Sequence, residues 1–259
     1  MENKIESVVF IGAGNVATHL AKALSKIITI KGITSKNKES AILLSSKIGC
    51  KFIESLDELP ICDLVIICTN DESIASIENK IPLNYNVVYT SGSIEINSTS
   101  NRDKYGVFYP LQTFSKEREL DISNVPFLIE STNPEFSNQL FELASKLSTQ
   151  VSFTSSIERK RIHLSAVFVN NFSNHLAFLA KEFMEENELN WDYLKPLIKE
   201  TSDKIISTEP FDSQTGPARR NDQIIINEHL NLLNDNSKEI YKIISESISK
   251  KYLNPGKND

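Results

Sequence analysis

Along the first 155 residues the apolar positions come in short runs; beyond them they form long stripes at helical spacing. The runs 8–11, 29–33, 52–53, 64–68, 86–89, 107–109, 127–129 and 151–153 read as strands. Run 64–68, Leu-Val-Ile-Ile-Cys, has no polar position, as a strand covered on both faces requires. Between the runs, Lys38–Ile48 has the pattern of a helix that stops at Gly49, a residue suited to a left-handed C-terminal cap. Residues 55–58 have capping-box spacing for a short helix, and residues 136–147 read as another. Strand and helix alternating in this way predict an α/β domain built on a doubly wound parallel sheet. After residue 156 the strand pattern ends, and helices are expected over 157–187, around 193–207, and over 227–252. Six of the eight glycines precede residue 107, which puts the tight turns in the sheet half. The expected domains are therefore 1–155 and 156–259, with a frayed tail from residue 253.

The first run ends in Gly12-Ala13-Gly14-Asn15-Val16-Ala17, and a helical pattern begins at once. Strand, glycine turn and helix N-terminus in that order make the dinucleotide-binding fingerprint, G-x-G-x-x-A here. Gly12 permits the tight turn, Gly14 lets the backbone approach a pyrophosphate, and Ala17 lets the helix pack closely on the strand. The unpaired N–H groups of the helix, backed by about half a unit of positive charge, would face the phosphates. Gly12, Gly14, Asn15 and Val16 are the expected pyrophosphate contacts, and Val16, Leu20, Ala21 and Leu24 share the face turned to the sheet.

A site for NAD places an acid at the end of the second strand to hold the ribose 2′-hydroxyl. That corner reads Thr34-Ser35-Lys36-Asn37, without an acid, and Glu39 falls on the next helix. Two hydroxyls and a lysine suit a 2′-phosphate, which a carboxylate 4 Å away would oppose by up to about 4 kcal/mol at an effective dielectric near 20. Thr34, Ser35 and Lys36 therefore favour NADP over NAD, against the plainer reading of a polar turn. A glycine-rich turn also serves S-adenosylmethionine-dependent transferases, but these too would want the missing acid. Ligands of such sheets bind beyond the carboxyl ends of the strands. Thr69-Asn70-Asp71, Thr90-Ser91-Gly92-Ser93 and Pro110-Leu111-Gln112-Thr113-Phe114 all follow strands. Thr69, Asn70, Ser91 and Gln112 are the further cofactor contacts expected from them, although each would serve equally in an ordinary turn.

In the helical half, Leu164, Phe168, Phe172, Leu176, Leu179 and Phe183 form one broad apolar face. Arg159, His163, Asn170, Asn174 and Lys181 fall opposite, where a solvent face is the simplest expectation. His163, Val167, Asn171 and His175 recur every fourth residue along the boundary between the faces. There His163 could act as acid or base and Asn171 could orient a carbonyl, the alternative being a structural histidine. The segment Gln214-Thr215-Gly216-Pro217-Ala218-Arg219-Arg220-Asn221-Asp222 must turn at Gly-Pro. Arg219 and Arg220 suit a carboxylate or phosphate of a substrate, or surface ion pairs, and Asp222 suits a helix cap or a pair with an arginine.

Composition narrows the partners. Hydrophobic content of 40%, charged content of 24% and a net charge of −6 describe a soluble globular chain without a nucleic-acid surface. Cys50, Cys62 and Cys68 have neither metal-site nor disulfide spacing, so no metal is expected and a reducing, cytoplasmic setting is. Met1-Glu2-Asn3-Lys4 runs into the first strand, so no signal peptide is expected. No apolar run approaches the roughly 20 residues that cross a bilayer.

Taken together, Gly12–Leu20, Thr90-Ser91-Gly92-Ser93, Tyr109–Phe114, His163–Phe168 with Asn171, and Thr215–Asp222 make the chain resemble a known group. These are Rossmann-like oxidoreductases whose C-terminal half is a domain of unknown function. They are related to pyrroline-5-carboxylate reductase and other 6-phosphogluconate-dehydrogenase-like proteins. The resemblance implies a Rossmann domain that binds NADP, followed by an all-helical domain like the C-terminal one of 6-phosphogluconate dehydrogenase. It further implies a homodimer built through those helices. The Gly/Thr-rich C-terminal substrate loop of true pyrroline-5-carboxylate reductases has no counterpart here. The expected function is hydride transfer to or from a small carbonyl, imine or alcohol in the cleft between the two halves. The alternative is an NADP-binding sensor or interaction protein without turnover.

Overall fold

The computed structural model describes residues 4–96 and 102–253. The N-terminal residues 1–3 and the tail from residue 254, where fraying is expected, lie outside the described residues. The chain divides into two compact units, Met1–Asn170 and Asn171–Asp259.

The first unit holds β1 (Ser7–Ile11), α1 (Asn15–Leu24), β2 (Thr29–Thr34), α2 (Lys38–Ile48), β3 (Lys51–Phe52), β4 (Leu64–Ile67), α3 (Asp71–Glu78) and β5 (Val87–Tyr89). It continues with β6 (Tyr105–Pro110), β7 (Phe127–Ser131), α4 (Pro134–Ser145), β8 (Val151–Phe153) and α5 (Ser156–Ala166). The eight strands form one sheet in the order β3-β2-β1-β4-β5-β6-β7-β8. The chain winds outward from β1 to β3 and then crosses to β4 on the other side of β1, which creates the switch point where α/β sheets bind ligands. Alternation along β1 serves both faces. Val8 and Phe10 pack with Ala17 and Leu20 of α1, Leu44 of α2 and Phe136 of α4. Val9 and Ile11 pack with Ile74 of α3.

The doubly wound α/β architecture is the one the apolar pattern predicts. A fully parallel sheet is not: β6 and β7 pair antiparallel, so β7 and β8 run against the other six strands. The residues joining β6 to β7 contain no helix, and a parallel pairing would have required a long crossover. Interior strands are apolar throughout whichever way they run, so the pattern was blind to the reversal. Other local predictions meet their geometry. Gly49 closes α2 in the left-handed conformation, with φ +78°, and its N–H donates to the Ser45 carbonyl. Residues 56–58 form only a 3₁₀ turn, capped by Ser55.

Helix α5 begins with a capping box between Ser155 and Glu158. Its Arg159 was expected on the solvent face and is instead completely buried. The guanidinium donates to the Glu130 carboxylate on β7 and to the Ile94 carbonyl in the segment after β5. Glu130 also accepts from the N–H and hydroxyl of Ser156, each at 2.8 Å, at the electropositive start of α5. These bonds hold α5 to the sheet within the first unit, which runs to Asn170.

The apolar stripe of the same helix behaves in the opposite way. Leu164 is 59% exposed and Phe168 60% exposed. Between α5 and α6 (Ser173–Glu186) the residues Val167–Phe172 adopt a π-helical turn, so the uninterrupted helix expected over 157–187 is broken in phase. The second unit continues with α7 (Lys195–Ser207), the single turn α8 (Pro210–Ser213), α9 (Gln223–Leu232) and α10 (Asp235–Leu253). The helix expected over 227–252 is therefore two. Asn234 interrupts it by accepting from the Ser237 N–H at 3.0 Å, the capping role for which asparagine competes with the helix interior.

Arg159→Met should lower the stability of the first unit by about 3 kcal/mol, because it strands a largely buried carboxylate. Adding Glu130→Gln should restore a good part of that loss. Urea unfolding of the single and double variants checks both.

Candidate functional site

The carboxyl ends of β1, β2, β4 and β5 open onto a cavity of about 720 Å3. Its walls are Gly12–Val16 after β1, Ser35–Asn37 after β2, Cys68–Asn70 after β4, and Thr90 after β5. The turn at its base is tightly held: Gly12 N–H donates to the Thr34 carbonyl at 2.7 Å, and Cys68 N–H donates to the Ile11 carbonyl at 2.7 Å. Gly12 has φ +116°, and a Cβ there would sit 2.2 Å from the Cys68 carbonyl oxygen. A Cβ on Gly14 would meet nothing within 4 Å, because it would project into the open cavity. One glycine is thus needed by the fold and the other leaves space for a ligand. Gly14 is the N-cap of α1 and supplies no side-chain cap, and the first turn has no acid. Its N–H groups suit an anion such as a pyrophosphate.

At the β2 corner, Ser35, Lys36 and Asn37 line the cavity. Thr34 does not: it is buried, and its carbonyl supports the glycine turn. Ser35 Oγ accepts from Asn37 N–H at 3.3 Å, and Asn37 caps α2 by accepting from Ser40 N–H. Lys36 is exposed and has no ion pair among the described residues. Glu39 lies in the first turn of α2, as expected. Thr69 and Asn70 line the cavity from β4, and Asn70 also accepts from the Ser73 hydroxyl. Burial pushes the Cys68 thiol up to about 12, against an opposing hydrogen bond from Thr90, which favours the protonated form of this cavity-wall cysteine.

Ser91 is buried and outside the cavity wall. Its hydroxyl oxygen accepts from the N–H groups of Ser93 and Ile94 and shapes the turn after β5. Gln112 is exposed, and its carbonyl oxygen accepts from Thr113 N–H. The neighbouring Phe114 packs on His19 of α1 with ring centroids 5.1 Å apart, while His19 Nε2 meets the Ser115 carbonyl at 2.9 Å.

His163 is half-buried on α5, and its Nδ1 lies 2.9 Å from Tyr109 Oη at the end of β6. Burial raises the Tyr109 hydroxyl above its ordinary value, with the Arg159 charge opposing the shift. Neither Tyr109 nor Arg159 was among the expected site residues. A signal for them existed: Ser156, Arg159, Lys160 and His163 follow i, i+3, i+4, i+7, the spacing of one helix face. That face meets the segment after β5. Ser156 Oγ accepts from Ile96 N–H, Arg159 donates to the Ile94 carbonyl, Lys160 pairs with Glu95 at 2.6 Å, and His163 packs on Gly92. Asn171 is exposed and begins the second unit.

In the second unit, Gly216 turns with φ +101° and Asp222 caps α9 by accepting from Ile225 N–H. Arg219 donates to the Gln214 carbonyl and lies 5.4 Å over the Tyr252 ring, while Arg220 is exposed. Arg219 is exposed as well, and it also braces its own turn through these contacts.

A mostly parallel, doubly wound domain with a phosphate-sized glycine turn, followed by helices alone, defines a Rossmann-like two-part protein. The model of the Domain of unknown function (DUF2520) matches residues 125–248. A solved protein of Bacteroides fragilis, described as an inferred NADP oxidoreductase, is 39% identical over 95% of this chain and 98% of its own, with a TM-score of 0.89. The chain belongs to this family of Rossmann-like proteins with a C-terminal domain of unknown function. Two more distant structures share the fold. An imine reductase of Myxococcus stipitatus in complex with NADP+ is 11% identical, with 95% and 93% of the chains covered and a TM-score of 0.66. A 1-pyrroline-5-carboxylate reductase of Streptococcus pyogenes is 12% identical, with 94% and 98% covered and a TM-score of 0.63. Among curated proteins no match is found.

Gly12→Ala should cost at least about 2 kcal/mol, since both backbone strain and the Cys68 carbonyl oppose it. Gly14→Val should leave stability within about 0.5 kcal/mol and weaken binding of an NADPH probe at least tenfold. Thermal unfolding and fluorescence titration separate the two effects.

Proposed function

We propose that the protein is an NADP(H)-dependent oxidoreductase acting on a small carbonyl, imine or alcohol. The observation that carries this reading is a single sheet edge bearing both an acid-free nucleotide cavity and a tyrosine-held histidine. When bound, the nicotinamide supplies or takes up the hydride. Gly14, Asn15 and Val16 hold the pyrophosphate with backbone N–H groups, while Gly12, expected among them, makes the turn and has its own N–H taken by the Thr34 carbonyl. Ser35 and Lys36 take the 2′-phosphate, and Asn37, which sequence reasoning passed over, completes that corner. Thr69, Asn70 and Thr90 line the way towards β5, and His163 gives a proton to the substrate oxygen or nitrogen during reduction.

The same reading includes a homodimer formed through the helices. Among the described residues of the second unit only Ala218, Ile226 and Ser245 are buried. Its exposed residues include Leu197, Ile206 and Ile224, and an apolar hollow of about 440 Å3 is lined by Leu179, Phe183, Ile240 and Ile244 among others. A helical unit this poor in core suits a second copy as its cover. The free thiols of Cys50, Cys62 and Cys68 favour a reducing, cytoplasmic setting. Among the described residues no helix is long and apolar enough to cross a membrane.

NADPH should bind at least tenfold more tightly than NADH, and Lys36→Glu should remove most of that preference. Fluorescence titration of both nucleotides measures it, followed by NADPH oxidation across a panel of small oxo acids and cyclic imines. Tight binding without oxidation of any substrate would make the protein a sensor. Failure to bind either nucleotide would remove the proposal.

A further inference from the structure

Tyr109 ends β6, and its hydroxyl reaches the Nδ1 of His163 on α5 at 2.9 Å. The two rings meet edge-on, 69° apart with centroids at 6.0 Å. Gly92, in the turn after β5, sits against the bond itself. A Cβ at Gly92 would stand 2.6 Å from His163 Nδ1, 2.8 Å from its Cγ and 2.8 Å from Tyr109 Cζ. The imidazole is therefore gripped on one side by a hydroxyl and a bare backbone. The helix that carries it is fixed one turn earlier by the Arg159–Glu130 pair. Its Nε2 has no protein partner among the described residues.

We propose that Tyr109 is the positioning residue for His163, anchoring the imidazole through Nδ1 so that Nε2 is the atom that exchanges a proton with the substrate. This inference rests on the oxidoreductase reading. The hydrogen bond survives the proton transfer: Nδ1–H donates to Tyr109 Oη in the imidazolium and still does so in the neutral ring left when Nε2 gives up its proton. In the reducing direction the proton leaves Nε2 of the imidazolium for the substrate oxygen or nitrogen as the hydride arrives at the adjoining carbon. The ring, now neutral, recovers its proton from water. The geometry is that of a base oriented by a third group, with a phenol in the place often taken by a carboxylate.

Tyr109→Phe keeps the ring packing and deletes only the hydroxyl. In this variant the nitrogen NMR shifts of His163 should move towards those of a free imidazole, with the tautomer preference lost. The kcat should fall tenfold to a hundredfold while the KM for NADPH stays within twofold. Added to His163→Ala, the change should cause no further loss, whereas a merely structural tyrosine would add its own. Gly92→Ala, which presses on the same bond, should perturb the same nitrogen shifts. Unchanged His163 nitrogen shifts in Tyr109→Phe, or additive losses in the double variant, would overturn the inference. If the wild-type protein oxidises no NADPH with any substrate, the functional reading fails, and the nitrogen shifts alone decide whether Tyr109 holds the ring.

Discussion

A guanidinium without solvent contact is the constraint on which the first unit depends. Arg159 can be buried only because Glu130 on β7 neutralises it and the Ile94 carbonyl takes another of its donors. Glu130 in turn receives the first N–H and the hydroxyl of α5. Three pieces far apart in sequence are thus joined at one charge pair: the antiparallel strand β7, the turn after β5, and the start of α5. The arrangement demands geometry as well as charge balance, and His163 is one turn further along the same helix. Its position relative to β6 is therefore set by the burial of Arg159.

The other half of the site follows from sheet topology. Where β2 and β4 leave β1 on opposite sides, their following turns cannot pack on each other, and a cavity opens above β1. The glycine turn occupies the floor of that cavity. Gly12 is demanded by the Cys68 carbonyl beneath it, and Gly14 faces open space. One short motif thus answers two separate requirements, internal packing and room for a ligand.

Some of this was legible because its cause is local. The glycine turn, the Gly49 cap and the Asp222 cap each depend on a few neighbouring residues, and each is found where the pattern puts it. The acid-free corner Ser35–Asn37 was equally readable. Thr34 and Ser91 show the boundary of such reasoning. Both stand at strand ends, but Thr34 is turned inward and the Ser91 oxygen is occupied by its own turn. Chain position alone does not tell which side of a strand end faces the ligand.

The sequence by itself determined the strand–helix alternation, the phosphate turn and its lack of an acidic partner, because period, glycine and charge act within a few residues. Only the tertiary structure decided the reversal at β7, the burial of Arg159 and the meeting of Tyr109 with His163. The physical reason is the same in each case. A polar stripe at helical spacing has one appearance whether it meets water or a row of buried partners. The partners of Ser156, Arg159, Lys160 and His163 lie more than 25 residues away along the chain.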